Sequence, residues 1–166
     1  SSTQVIALTS NQLQALSTAQ VAALGSSQLI AIETADIVVL PPSNPVVSIG
    51  TILQVPGIRE AITATAAPVV GLSPIVGGAP VRGMADACLT ALGIETTAAA
   101  VAANYGARSN GGVLDGWLVD SADADSVAAI NASGITAQAV PLMMTDIDAT
   151  AAMANAAIAM AESLRK

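Results

Sequence analysis

The sequence predicts an α/β fold built on a parallel sheet, and three observations carry that expectation. Short apolar, largely β-branched runs recur at residues 37–40, 68–72, 115–119 and 136–140. Each run gives way to proline, glycine or small polar residues and then to a helical pattern, the alternation expected of βαβ units. The core material is Ala, Val, Ile and Leu, with no Phe, one Tyr and one Trp among 166 residues. Side chains this small favour close packing of helices on a sheet. The expected architecture is a Rossmann-like three-layer sandwich over residues 37–166, with a four-stranded parallel sheet, helices on both faces and right-handed crossovers. A short helical repeat segment is expected to precede it over residues 1–36.

The repeat segment divides into octads: SSTQVIAL, TSNQLQAL, STAQVAAL, GSSQLIAI and, running into the first strand, ETADIVVL. The fourth position is Gln in four octads and Asp36 in the last; the fifth and eighth are always Val, Leu or Ile. Thr9 with Gln12 and Ser17 with Gln20 have the spacing of a capping box, in which hydroxyl and amide satisfy helix-start N–H groups. Each octad therefore reads as a short capped turn that packs and does no chemistry. The pattern resembles the Thr/Ser-x-x-Gln-Val-x-Ala-Leu repeats of long bacterial surface proteins.

Residues 36–50, DIVVLPPSNPVVSIG, organise the rest of the chain. Ile37, Val38, Val39 and Leu40 read as a strand covered on both faces. Pro41, Pro42 and Pro45 cannot donate to a ladder, so the strand ends there. Ser43 and Asn44 then stand at its carboxyl end, and Ser48 is placed to cap the next helix. Open α/β sheets bind ligands at this edge, where helix N-termini present free N–H groups to anions. A ligand-free proline-rich connection gives the same pattern.

The remaining elements come in order. Residues 51–65 read as a helix interrupted at Val55, Pro56 and Gly57. Residues 68–72 are a second buried strand, ending in Ser73, Pro74, Gly77 and Gly78. Residues 84–92 are amphipathic, with Met84, Cys88, Leu89 and Leu92 on one face and Gly93 as the stop. An alanine-rich helix over 96–105 ends at Gly106. A strand with Trp117 leads into Asp120, Asp123 and Asp125, which cap the helix over 126–131. These aspartates lack the turn glycine and the twelfth-position glutamate of a calcium loop, so helix-start carboxylates are the better account. The fourth strand leads through Met143 and Met144 to Asp146 and Asp148, expected to cap a last helix over 148–164.

Composition excludes several function classes. The formal charge is −7 with five Lys or Arg, which argues against a nucleic-acid or anionic membrane surface. There is no His, so histidine catalysis and histidine ligation are absent, and the single Cys88 excludes an intrachain disulfide. Residues 1–32 are uncharged but rich in Ser, Thr, Gln and Asn, unlike a membrane span or a signal peptide. A cytoplasmic location is the expectation.

The runs VVLPPSNPVVSIGTILQVPGIREAI, APVVGLSPIVGGAPVRGMADACLTALGI, YGA, VLDGWLVD and AVPLMMTD, in that order, resemble the carboxyl-terminal half of the 2-phospho-L-lactate transferase family. The resemblance covers residues 30–166. It implies transfer of a phospholactyl or phosphoenolpyruvyl unit, activated as a guanosine diphosphate derivative, onto the ribityl hydroxyl of a deazaflavin alcohol, with GMP leaving. A GDP-type nucleotide and a divalent cation are the implied cofactors. Ser43, Asn44, Pro45 and Ser48 would border the nucleotide from one side, and Ser73, Gly77 and Gly78 from the other. Arg82 either meets a phosphate or is a plain surface side chain. No metal ligand and no catalytic residue is assigned. The family's first strand, glycine-rich phosphate loop and acidic ligands have no counterpart before Glu33, so a partial, weakly competent site is expected. The competing expectation is a catalytically inactive chimeric or structural protein that uses the fold for self-association. A split enzyme completed by another chain is a third. A homo-oligomer is expected because half a doubly wound sheet leaves an open edge.

Overall fold

The computed structural model describes residue 32 and residues 35–165. In chain order the elements are β1 (Val38–Leu40), α1 (Ile49–Leu53), α2 (Ile58–Ala64), β2 (Val69–Leu72), β3 (Ile75–Val76), β4 (Ala79–Pro80), α3 (Ala85–Ala91), α4 (Ala98–Tyr105), β5 (Gly116–Val119), α5 (Val127–Ala132), β6 (Thr136–Ala139) and α6 (Ile147–Leu164). Two 3₁₀ turns, Arg108–Asn110 and Ser121–Ser126, complete the order. The octad segment, apart from residues 32, 35 and 36, lies outside the described residues.

Four strands pair in parallel, as the spacing of the apolar runs predicts, and their order is β1-β2-β5-β6. The register sets Leu40 beside Gly71, Gly71 beside Trp117 and Trp117 beside Ala137. Alternation along each strand then sorts side chains to two faces. Val69, Trp117 and Val119 enter one layer with Ile49, Ile62, Leu89, Val101 and Ile130. Val70, Leu72 and Leu118 enter the other with Met153, Ala157, Met160 and Ala161 of α6. Among the described residues helices flank both faces, but unequally: α6 packs chiefly on β2 and β5.

Two glycines set the thickness of these layers. A Cβ at Gly71 would lie 2.5 Å from the Trp117 ring, and one at Gly116 would lie 2.6 Å from Met160 Sδ. The missing side chains admit Trp117 on one face and α6 on the other. Trp117 is fully buried and meets Tyr105 edge-on, with ring centroids 5.7 Å apart and planes at 63°. Burial pushes the Tyr105 phenol above its usual range.

The structure corrects three expectations. β1 is not covered on both faces: among the described residues it is the edge strand, and Val39 stays 43% exposed. In α3 the buried residues are Ala85 and Leu89, while Met84 and Leu92 are exposed at 64% and 58%. A helix this short buries only one turn, which brings Ala85 and Leu89 into the core. Finally, the segment after β2 is no simple loop: β3 and β4 form an antiparallel ribbon closed by Gly77 and Gly78. Among the described residues, no helix is long and apolar enough to cross a membrane.

Candidate functional site

Consecutive parallel strands release their chains at the same edge, so the segments after β1, β2, β5 and β6 gather at the carboxyl ends of the sheet. Pairing of Leu40 with Gly71 brings the first two together. Residues 41–48 turn tightly, because Pro41 and Pro42 end the ladder and Asn44 then caps the turn. Asn44 Oδ1 accepts from Val46 N at 2.9 Å and Val47 N at 3.1 Å, and its carbonyl accepts from Ser48 N and Ile49 N. Asn44 Nδ2 faces Cys88 Sγ at 3.6 Å, joining this turn to α3. Pro45 is buried beneath it.

Ser48 stands at the N-cap of α1 but makes no capping bond through its side chain, contrary to expectation. Its backbone is already αR, whereas a capping hydroxyl needs extended backbone at that position. Asn44 supplies the acceptor instead. Among the described residues the Ser43 hydroxyl engages no partner, and it remains half-buried at the turn.

The second segment begins at Ser73, which is fully buried. Its N–H extends the ladder to Leu118 O at 2.9 Å. Its hydroxyl accepts from Ile75 N at 3.1 Å and donates to Ile75 O at 2.8 Å. Ser73 therefore shapes the turn into β3 with its polar atoms engaged inside the fold. Gly77 and Gly78 come next, with φ of +55° and +78°, the consecutive left-handed pair that a type I′ hairpin turn demands. Arg82 lies beyond β4, exposed, with no hydrogen bond or ion pair among the described residues.

The third segment contributes two aspartates that local sequence alone reads as helix starts. Asp120 Oδ1 accepts from Ala122 N at 2.9 Å, and Oδ2 accepts from Leu142 N at 2.8 Å, so it ties the segments after β5 and β6 together. Asp123 Oδ2 accepts from Gly77 N at 3.0 Å, tying the hairpin tip to the turn after β5. The sequence signals only that carboxylates follow a buried strand; the Gly77 partner is invisible to it.

The Ser43 hydroxyl, the Gly78 amide and the Arg82 guanidinium, all groups that bind anions, are without partners among the described residues at the ends of these segments, while the Gly77 amide already donates to Asp123. Among the described residues, no three His, Cys, Asp or Glu side chains converge as a ligand set. Two cavities lie elsewhere. One of about 790 Å³ opens at the amino ends of the strands, lined by Asp36, Pro68, Arg108, Asp115, Thr136 and Arg165. Arg108 is fully engaged there by Asp115 at 2.7 Å and by backbone carbonyls, and so offers no free cation to a ligand. The other, about 500 Å³ and walled mostly by apolar groups, lies against the start of α6.

A family model described as 2-phospho-L-lactate transferase CofD matches residues 7–161, beginning within the octads. The phosphoenolpyruvate transferase of Streptomyces griseus is 63% identical over 127 residues, which is 76% of this chain and 39% of the relative. That of Kitasatospora aureofaciens is 61% identical over 127 residues, 76% of this chain and 38% of the relative. That of Mycolicibacterium smegmatis is 52% identical over 123 residues, 74% of this chain and 36% of the relative. The chain thus spans under two-fifths of the length of these curated relatives.

Proposed function

The chain belongs to the 2-phospho-L-lactate transferase family, and from that premise we propose that it is the nucleotide-binding part of such a transferase, with the carboxyl edge of the sheet as its site. The observation that carries this reading is the register of β1 on β2. It sends the segment with Ser43, Asn44, Pro45 and Ser48 and the segment with Ser73, Gly77, Gly78 and Arg82 out at the same edge, where parallel sheets receive phosphorylated ligands. Within that set the roles differ. Asn44 and Ser73 shape the two turns through side-chain polar atoms engaged inside the fold, Pro45 through its buried ring, and Ser48 through its backbone, whose N–H donates to Asn44 O. Ser43, Gly77, Gly78 and Arg82 address the ligand.

The ligand is a guanosine diphosphate derivative of a three-carbon acid. The names of the relatives favour phosphoenolpyruvate as that acid. In the transfer, the ribityl hydroxyl oxygen of the deazaflavin alcohol forms a new bond to the phosphorus next to the acid. The bond from that phosphorus to GMP breaks, and the hydroxyl proton is lost. This chain's part is to hold and orient the diphosphate. Phosphoryl transfer depends on positioning and on cationic stabilisation, and one exposed arginine with a few amides supplies little of the second. The chain alone therefore binds GDP only in the millimolar range, about −4 kcal/mol, and does not turn over. Calorimetric titration with GDP and with guanosine tests this: binding that needs the phosphates and weakens in Arg82→Ala supports it. Equal binding of guanosine, or turnover by the isolated chain, overturns it.

A second reading, self-association through the fold with no catalysis, is favoured by one observation. Ile147, Ala151, Ala154 and Ile158 form an exposed apolar stripe along α6, with Ile147 exposed at 86% and Ile158 at 42%.

A further inference from the structure

An exposed amide at the hairpin tip already holds an anion, and that anion belongs to the chain. Asp123 Oδ2 lies 3.0 Å from Gly77 N, across 46 residues of sequence. Gly77 and Gly78 are both exposed and both left-handed, so their successive N–H groups belong to a turn of the kind that makes anion-binding concavities. The Gly78 N–H has no partner among the described residues.

Asp123 is delivered to this turn by a built structure. It sits in the 3₁₀ turn Ser121–Ser126 with its own φ and ψ at −108° and 19°, away from helical values. Its N–H donates to Asp120 O at 2.9 Å, and its carbonyl accepts from Ser126 Oγ at 2.6 Å. Asp120 is in turn anchored by Ala122 N and Leu142 N. A carboxylate held in this way acts at high effective concentration, and any free anion must compete with it.

We propose that Asp123 is the resident anion of the Gly77–Gly78 turn: it occupies the amide that a phosphate group takes, and it thereby sets the affinity of the edge for phosphorylated ligands. This rests on the nucleotide reading above and adds to it a residue that limits binding. Ligand phosphate enters as the Asp123 carboxylate swings away, so the hairpin and the turn after β5 are joined in the empty state and part in the bound one.

The test uses the isotope-labelled chain and its Asp123→Ala and Asp123→Asn variants. Each is titrated with inorganic phosphate and with GDP while the Gly77 and Gly78 amide resonances are followed. Asp123→Ala is expected to bind both ligands about tenfold more tightly, the effect of removing one charge-assisted competitor, with both amides shifting. Asp123→Asn should fall between, because its oxygen still accepts from Gly77 N but no longer repels phosphate. If Asp123→Ala binds no better than the parent while Asp123→Asn keeps the parent affinity, Asp123 is a loop tether and the proposal fails. If GDP binds all three equally with the Gly77 amide unmoved, the nucleotide reading survives and the Asp123 role does not. If phosphate tightens at Gly77 but GDP gains nothing over phosphate alone, the Asp123 role stands and the nucleotide reading falls.

Discussion

At the residue scale, Arg108 joins segments that the chain order keeps far apart. Its Nη1 donates to Thr65 O at 2.9 Å and Ala67 O at 3.0 Å, while Nε and Nη2 grip both oxygens of Asp115 at 3.1 and 2.7 Å. Asp115 Oδ2 also accepts from Val69 N at 2.9 Å, so the pair seals the amino ends of β2 and β5. The side chains are only 18% and 24% exposed. Removing the guanidinium leaves a carboxylate and the carbonyls of Ile62, Thr65 and Ala67 without it, and Arg108→Ala is expected to cost about 2–3 kcal/mol in urea unfolding, below the full range for a wholly buried pair. Arg108→Lys should recover only part of this, since a point charge cannot reproduce the planar fork. Asp146 gives a second, pH-dependent expectation. Its Oδ1 accepts from Ala149 N at 2.8 Å at the start of α6, and this bond holds its carboxyl below the ordinary value of 3.8. A lowered folded pKa means that the stabilisation is fully present above the unfolded value and lost as pH falls through the folded one. The thermal midpoint of Asp146→Ala should therefore trail the parent at neutral pH, and the gap should close only below about pH 4. A gap independent of pH would show that the carboxylate charge contributes nothing there.

At the scale of the element, the two turns at the carboxyl edge depend on different physical features, and substitutions should separate them. Asn44→Ala removes the acceptor for Val46 N and Val47 N and frees the 41–48 turn, at about 1 kcal/mol. Gly78 has open space beside it, the nearest atom to an added Cβ being Thr96 O at 4.0 Å. Gly78→Val therefore acts through φ of +78°, a backbone conformation that costs a side-chain-bearing residue about 1–2 kcal/mol. Both variants should melt lower by circular dichroism and lose the weak GDP signal; a variant that melts lower yet binds as before would move the ligand away from its turn. The strands were legible because β-branched runs bounded by proline and glycine carry their own signal, and each begins and ends within one residue of its expected place. The β3–β4 ribbon was not, since strands of two residues have no measurable period and proline closes its second arm at Pro80. The exposure of β1 depends on which strands pair, which no local pattern contains. For the same reason Ser73 looked like a ligand group: a serine before proline reads alike whether its hydroxyl meets a ligand or Ile75. Asp123 looked like a cap because its partner lies in another unit of the fold.

At the scale of the whole molecule, the unequal covering of the sheet decides what the surface does. α6 buries Met153, Ala157, Met160 and Ala161 against the sheet, while its outer side repeats apolar residues at 147, 151, 154 and 158. Only Asp148 and Glu162 bear charge within its eighteen residues. A helix apolar nearly all round is one normally buried on both sides. Val39, which alternates with the inward Val38 and Leu40, adds exposed apolar surface on the α6 side of the edge strand. The self-association reading therefore expects a concentration-dependent dimer, with α6 at the contact. Under a two-fold axis each substitution acts twice, so losing even about 1 kcal/mol per copy at one isoleucine weakens the dimer roughly thirtyfold. Ile158→Glu and Ile147→Glu should each shift sedimentation velocity profiles to the monomer at concentrations where the parent is dimeric, without lowering the melting temperature. The unchanged melting matters, because both side chains point away from the core, and a variant that unfolds would lose the dimer for a trivial reason. A parent chain that sediments as a monomer at every concentration would remove this reading.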